Sequence, residues 1–393
     1  MKNAFKTITA VAISLIFAAS VKAASPFDGS GAFEDPGLME VPAVTEASAV
    51  AEPSRTEAEV PAHGYTSGQL SEMRQHNASV GASANKGLGL EDERVEIRYR
   101  PYADYEKTGY LIMSADFNFN SRQAKLLMAS KLPADGTLVI FTDTYGTTKE
   151  DVLREYGSVV PRERIKVVTL PGARNGFWAR DGIPVPAIDA SNNLVVVDAV
   201  YGHRFEPDAE IARLFGARME KHGYYFEGGN FMANHSGTCI MVNAHAHVRI
   251  PDSVFAGQYG CREMIRLPLV DGIGHIDEHV RFISEKVVVT DLPEYKDVLQ
   301  GKGLTVHMMP KPSGPFETYV NSLIMDGKVI VPVFGRSTDE QALAVYRSLG
   351  LEAFGADSRT LSNDGQGSVH CITMTYPAVP ARELMKALGA TEL

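Results

Sequence analysis

The chain has 393 residues, 44% of them hydrophobic and 22% charged, with a formal net charge of -10 and three cysteines. That is the composition of an ordinary globular protein, long enough for two average domains or for one closed repeat fold. The acidic balance disfavours nucleic acid and anionic membrane as partners and favours cationic ligands.

Lys2 and Lys6 precede an apolar run from Ile8 to Val21, and Val21 and Ala23 supply small residues at the minus-three and minus-one positions of a cleavage site. The run is short for a bilayer crossing, so residues 1–23 read as an export signal and the protein as periplasmic or secreted; a signal anchor is the alternative. Removing that segment takes away Lys2, Lys6 and Lys22 and moves the net charge from -10 to -13. From Ser25 to about Glu91 the sequence is rich in Ala, Ser, Pro, Glu and Gly without sustained periodicity. Residues 24–93 therefore read as a disordered leader or propeptide, and residues 94–393 as the catalytic domain.

Strands and helices then alternate. The pattern predicts a buried strand over Tyr110–Met113, a helix over Ser121–Ser130, a strand over Thr137–Phe141, a helix over Thr148–Tyr156 and a strand over Ile165–Leu170. A long hairpin from Gly182 to Val200 follows, then a helix from Asp208 to Lys221 that ends before Gly223. Further on, Glu278–Ser284 and Lys286–Thr290 read as strands, Pro293–Gln300 as a helix and Leu304–Met309 as a strand. The same order returns with strand Tyr319–Met325, the turn Asp326-Gly327 and strand Lys328–Val333. The helix after it is capped by Thr338 with Gln341, turns Leu343, Tyr346 and Leu349 inward, and stops at Gly350.

Each such unit opens on a residue fit for chemistry. Asp181, Asn230, Asp277, Asn321 and Cys371 are separated by 49, 47, 44 and 50 residues, a near-constant period that marks copies of one supersecondary unit. Five ββαβ units predict an α/β fold, a five-bladed α/β-propeller with pseudo-five-fold symmetry whose last copy packs on the first. Each copy delivers one polar side chain to a shared centre.

A bridge between Cys239 and Cys261, 22 residues apart, would contribute about 3 kcal/mol by closing that loop. It would leave Cys371 free; three reduced cysteines are the alternative. Cys371 lies in Gly367-Ser368-Val369-His370-Cys371-Ile372-Thr373, read as a strand, on which His370 and Cys371 point to opposite faces. A base for this thiol then has to come from elsewhere, and His275 is the candidate, because histidine titrates near neutral pH. In extended backbone His275, Asp277 and His279 share one face. Asp181 follows Trp178, the only tryptophan; a carboxylate accepts two guanidinium N–H bonds in fork geometry, and an aromatic ring walls the cation. Glu227 is a further acid, to hold substrate or to orient His275.

Five segments in order carry a resemblance: Trp178-Ala179-Arg180-Asp181, Glu227-Gly228-Gly229-Asn230, Gly274-His275-Ile276-Asp277, Tyr319-Val320-Asn321 followed by Val329-Ile330-Val331-Pro332, and His370-Cys371-Ile372-Thr373. Over most of residues 95 to 380 the chain resembles the guanidine-modifying enzymes, and within them the agmatine deiminase and bacterial peptidylarginine deiminase family. The resemblance implies a pentein-like propeller with no metal or other cofactor. It implies Cys371 as nucleophile, His275 as general acid and base, Asp181 with Asp277 as guanidinium clamp, and Asn321 lining the pocket; Trp178, Glu227 and Asn230 are the further substrate-binding candidates read from the residues themselves.

The implied reaction is hydrolytic deimination of an arginine-derived guanidinium through a covalent cysteine adduct. Export, together with Arg204 in Tyr201-Gly202-His203-Arg204-Phe205 as a receiver for a substrate carboxylate, points to peptidylarginine, giving peptidylcitrulline and ammonia. Agmatine, giving N-carbamoylputrescine and ammonia, is the alternative. Against it, Leu361–Gln366 lacks the acidic-arginine and triple-glycine form of agmatine deiminases, and Tyr102–Ser114 lacks their usual opening. Two other readings compete: a metal-dependent hydrolase using His275, Asp277 and His279 with His245 and His247, and a non-enzymatic binder of arginine-containing peptides.

Overall fold

A computed structural model describes residues 60–87, 95–144 and 146–379; the segment read as an export signal lies outside them. Helix α1 (Ser67–Gly87) comes first, followed by β1 (Tyr99–Pro101), β2 (Thr108–Ser114), α2 (Arg122–Ser130), β3 (Thr137–Thr142), α3 (Lys149–Tyr156) and β4 (Ile165–Thr169). Short α4 (Ala179–Gly182) leads into β5 (Val185–Asp189), β6 (Leu194–Val200), α5 (Asp208–Phe215) and β7 (Arg218–Tyr225). Next come β8 (Met232–Ala233), β9 (Thr238–Val242), α6 (Asp252–Val254) and β10 (Glu263–Leu267), then β11 (Val280–Ser284), β12 (Val287–Thr290), α7 (Pro293–Gly301) and β13 (Thr305–Met308). The last stretch holds β14 (Leu323–Met325), β15 (Lys328–Val333), α8 (Asp339–Ser348), β16 (Glu352–Asp357), α9 (Arg359–Asn363) and β17 (Met374–Pro377).

Among the described residues these strands form five sheets. Four of them repeat one plan, an antiparallel hairpin followed by a parallel third strand: β5-β6-β7, β8-β9-β10, β11-β12-β13 and β14-β15-β16. The fifth joins the two ends of the fold, because β17 pairs antiparallel with β2, and β3 and β4 follow in parallel. The chain is the five-bladed α/β-propeller that its period predicted, closed by main-chain hydrogen bonds between β17 and β2 within the blade they share.

Five apolar clusters lie between the blades, and side-chain alternation explains how. Leu138 and Ile140 of β3 point into one cluster, while Val139 and Phe141 point into the next. Likewise Ile330 of β15 joins the first cluster while Val329 and Val331 join another. Strands buried on both faces need apolar residues at consecutive positions, which is why Tyr110–Met113 and Val329–Val331 read as continuous runs.

Several expectations need correction. Helix α5 stops at Phe215, because Gly216 takes a left-handed φ of 58°; Arg218–Lys221, expected as helix, belong to β7. Tyr319–Ser322 bend instead of pairing, so β14 is only Leu323–Met325. Thr338 does not cap α8 through its side chain; its hydroxyl meets the Tyr319 hydroxyl at 2.7 Å. The carboxylate of Asp339 instead accepts from the amides of Phe334, Gly335 and Arg336.

Residues 60–87, assigned by composition to a disordered leader, are ordered against the propeller. The amide of Asn77 donates to the carbonyls of Tyr225 and Ala246, at 3.0 Å each, and accepts from the Tyr225 N–H at 2.7 Å. Tertiary contacts decide whether such a segment orders, and a few polar anchors leave no apolar period to read. Residues 24–59 and 88–93 of the same expectation lie outside the described residues. Cys239 and Cys261 are disulfide-bonded, and Cys371 is free and buried.

Candidate active site

The five period residues occupy equivalent places, each in the short turn before the first strand of its blade. Asp181 lies in α4, Asn230 ends the 3-10 turn Gly228–Asn230, and Asp277 is central in the 3-10 turn Ile276–Glu278. Asn321 and Cys371 stand just before β14 and β17. The turn of Asn230 touches those of Asp181 and Asp277, which brings three blades to one place.

On one side stands the thiol. Cys371 Sγ accepts from Asn321 Nδ2 at 3.1 Å and lies 3.7 Å from Asp277 Oδ2. Asn321 Oδ1 also accepts from the His370 N–H at 3.1 Å, which fixes the turn carrying the sulfur. The opposite-faces reading of His370 fails. Residues 369–372 form a turn and not a strand, so His370 and Cys371 both reach Asp277 Oδ2. The His370 contact is Nδ1 to Oδ2 at 2.6 Å. His370 Nε2 lies 2.9 Å from Asp104 Oδ2, and Asp104 also accepts from Arg281 at 2.7 Å. Burial alone would raise the Asp277 carboxyl, but the hydrogen bond and charge of His370, with His275 and Arg281, hold it below the usual carboxylate range.

On the other side stand His275 and Asp181. A Cβ on Gly229 would come within 2.7 Å of His275 Nδ1, 2.8 Å of Asp181 Oδ1 and 3.3 Å of Asp277 Oδ2. Only glycine leaves that space free, and groups from two other blades face it. The Gly229 N–H donates to Asp181 Oδ1 at 2.8 Å, and His275 Nδ1 is 3.8 Å from the same oxygen. Asp277 therefore touches the thiol and, over Gly229, shares one small volume with His275 and Asp181. Glu227 takes the orienting role, with Oε2 3.3 Å from His275 Nε2 and 3.0 Å from His247 Nε2.

The charges follow from these contacts. Burial pushes the His275 imidazole down, but the Asp181 carboxylate and the hydrogen bond and charge of Glu227 outweigh it and raise the group to about 10. His275 is an imidazolium at neutral pH. Burial, then Asp277 and Asp181, push the Cys371 thiol well above its ordinary value, so the resting nucleophile is protonated. His275 Nδ1, Asp277 Oδ1 and Glu227 Oε1 are buried without hydrogen-bond partners; the two carboxylate oxygens suit a ligand rich in N–H donors.

Three expected roles do not fit this geometry. Asn230 turns away from the site: its side chain donates to the Val242 carbonyl at 2.9 Å, accepts from the Val242 N–H at 2.7 Å, and meets His247 Nδ1 at 2.7 Å. It is a positioning residue for His247 and, through it, Glu227. Arg204 is exposed and stays outside the buried set. The alternating metal ligands do not assemble, because His279 pairs with Asp291 at 2.9 Å and His247 is engaged by Glu227 and Asn230. Among the described residues, groups of three ligand-type atoms within 4.8 Å of one another come from His63, Asp181 and His275, and separately from Asp198, Glu206 and Asp208.

Sequence reasoning missed Asp104 and Arg281, which buttress the site from behind, and named His247 only as an alternative metal ligand where it supports Glu227; it also missed His63. His63 Nε2 hydrogen-bonds Asp181 Oδ2. Its ring stacks on Trp178 at 4.4 Å with 12° between planes and stands edge-on to His275 at 5.1 Å.

Residues 128–377 match the family model of Porphyromonas-type peptidyl-arginine deiminases, a span that includes all five period residues. The chain belongs to that family. Among curated relatives, an agmatine deiminase of Pseudomonas fluorescens is 26% identical over 289 residues, 54% of this chain and 77% of the relative. Among solved structures, the C. jejuni agmatine deiminase aligns with a TM-score of 0.61 at 16% identity, covering 75% of this chain and 100% of that one. The Enterococcus faecalis agmatine deiminase gives 0.57 at 16% identity, covering 71% and 96%. At these identities the structural likeness bears on the fold alone, the pentein propeller. Family and relatives together make the chain a hydrolase that acts on the carbon–nitrogen bonds of amidines.

Proposed function

We propose that the chain deiminates a small arginine-derived guanidine, agmatine first, to a ureido product and ammonia through a covalent adduct on Cys371. The observation that carries this is the convergence of Asp181, Asp277 and His275 over Gly229, with the free thiol against Asp277. A planar guanidinium donates N–H bonds to both carboxylates, each contributing about 1.5–3 kcal/mol, and the Trp178 ring walls it.

The bound cation offsets the repulsion that Asp277 and Asp181 exert on sulfur, so the thiol loses its proton to solvent as substrate binds. The thiolate attacks the guanidinium carbon and forms an S–C bond. The imidazolium of His275 gives its proton to the departing nitrogen, the C–N bond breaks, and ammonia leaves. His275, now neutral, takes a proton from water as the oxygen adds to the same carbon; the S–C bond then breaks with its electron pair on sulfur, the hydroxyl proton of the adduct passes to that thiolate, and the ureido product departs.

The agmatine deiminases among the relatives support agmatine over peptidylarginine. So does the cation inventory: Arg180 and Arg281 are engaged by Asp104, and Arg204 is exposed. Agmatine has no carboxylate for such a residue to meet. Peptidylarginine is the second reading, favoured by the family description and by export, which we also propose; the Cys239–Cys261 bridge is a feature of oxidising compartments. The test is to incubate the purified chain with agmatine, free arginine and arginine peptides and to measure ammonia and ureido product for each. Agmatine is expected to give the highest kcat/KM with both products in equal amounts. No ureido product from any guanidine would overturn the proposal.

A further inference from the structure

We propose that residues 60–66 and helix α1 form an inhibitory arm whose His63 occupies the guanidinium clamp, so that the resting chain competes with its own substrate. This rests on the reading of Asp181 as a clamp carboxylate. His63 is 2% exposed and makes the contacts a guanidinium would make there: a planar ring N–H group against Asp181, a flat stack on Trp178, and a position beside His275. Imidazole and guanidinium are both flat nitrogen groups that carry N–H donors in their plane. They cannot share one carboxylate oxygen and one ring face at once.

The chain on either side of His63 is fitted to this placement. The Trp178 indole donates to the Pro61 carbonyl at 3.1 Å, so the residue that would wall the substrate is itself tied to the arm. The His63 N–H donates to the Gly365 carbonyl at 2.8 Å, on the loop that leads to Cys371, and the His63 carbonyl meets His203 Nε2 at 3.1 Å. Tyr65 stacks on His203 at 4.6 Å. Beyond it, α1 docks through Asn77, as described above, and through His76 Nε2 to the Gly223 carbonyl at 2.8 Å.

This attachment is made for release. Apolar anchoring is limited to Val60, which joins one core cluster, Met73, and Val80, which packs on another; most of the described side chains of α1 are polar and exposed, and its other anchors are hydrogen bonds to β7 and its neighbours. An element with little buried apolar area opens at lower free energy than the core, so the arm can leave while the blades stay folded. While the arm is seated, only the unseated fraction of molecules binds substrate, and apparent affinity falls by that fraction. Saturating substrate displaces the arm, so the effect falls on KM and not on kcat.

The test compares the full chain with its His63→Ala and Asn77→Ala variants, the first removing the plug and the second loosening the anchor of α1 on Tyr225 and Ala246. KM for agmatine and the rate at which iodoacetamide alkylates Cys371 without substrate are measured on each, with thermal unfolding to confirm the fold. A clamp seated nine-tenths of the time predicts a roughly ten-fold lower KM in the released forms, faster alkylation in both variants, and kcat retained in Asn77→Ala. A merely structural role for the segment would lower kcat and the unfolding temperature and leave KM alone. Folded variants with parental KM and parental alkylation rates would overturn the proposal. Should no form release ammonia, the deiminase reading falls by itself, and the alkylation rates still decide whether the arm shields the site.

Discussion

Replacing Asp277 by asparagine keeps the shape of a fully buried side chain and removes its charge, and the geometry gives opposite signs to the two consequences. Turnover falls, because the variant loses a charge-assisted bond to the guanidinium. At about 1.5–3 kcal/mol per bond, and tenfold per 1.4 kcal/mol, kcat/KM drops roughly 10- to 150-fold, and further if Asp277 receives two N–H groups. The free thiol, in contrast, becomes more reactive. A thiolate 3.7 Å from the Asp277 carboxylate is opposed by on the order of 4 kcal/mol at an effective dielectric of about 20. Without that charge Cys371 ionises at lower pH and is alkylated faster at a fixed neutral pH. Asparagine still offers an oxygen to His370 Nδ1, so the fold is retained, which thermal unfolding checks. The assay is a pair of measurements on one preparation, steady-state kcat/KM and the rate of iodoacetamide alkylation without substrate. Unchanged kcat/KM in a folded variant, or slower alkylation, would refute the assignment of Asp277.

Glu227→Gln removes one of the groups that hold His275 at about 10 against the pull of burial. The imidazolium that protonates the leaving nitrogen is lost as pH rises through that value, so in the variant the alkaline limb of kcat/KM moves to lower pH; an unmoved limb would contradict the orienting role. The same pairing stabilises the fold fully below an unfolded-state value of about 6.5, and that stability is lost as pH rises towards about 10. Asn230→Ala strips partners from both main-chain groups of Val242 and is expected to cost about 2–4 kcal/mol in urea unfolding with little change in KM; a raised KM at parental stability would return Asn230 to the substrate. Replacing Cys239 and Cys261 together by alanine is expected to cost about 3 kcal/mol while activity per folded molecule persists, and a non-reduced peptide map that placed Cys371 in a bridge would contradict the pairing.

The ring was legible because each blade repeats one turn and one buried hairpin, so a period near 47 residues survives in Asp181, Asn230, Asp277, Asn321 and Cys371. The period fixes where a side chain starts and not where it points. Asn321 reaches the sulfur, whereas Asn230, at the equivalent place, is folded back onto Val242 and His247. His370 was misread because β17 begins at Met374, and on a turn neighbouring residues converge where on a strand they diverge. Gly216 did carry a stop signal for α5, and the later Gly223 masked it. His63 and Asp104 had no local signal at all. Their partners lie 118 and 266 residues away, at Asp181 and His370, and such pairings exist only once the ring has closed.

The central claim is that sulfur attacks the guanidinium carbon. Its most direct measurement is to quench the chain in acid during steady turnover of agmatine and to map the modified peptide by mass spectrometry. The account predicts an amidino adduct on the peptide containing Cys371, formed during turnover and absent once substrate is exhausted. Continued ammonia release with that peptide unmodified, or undiminished turnover by a Cys371→Ala variant, would contradict it.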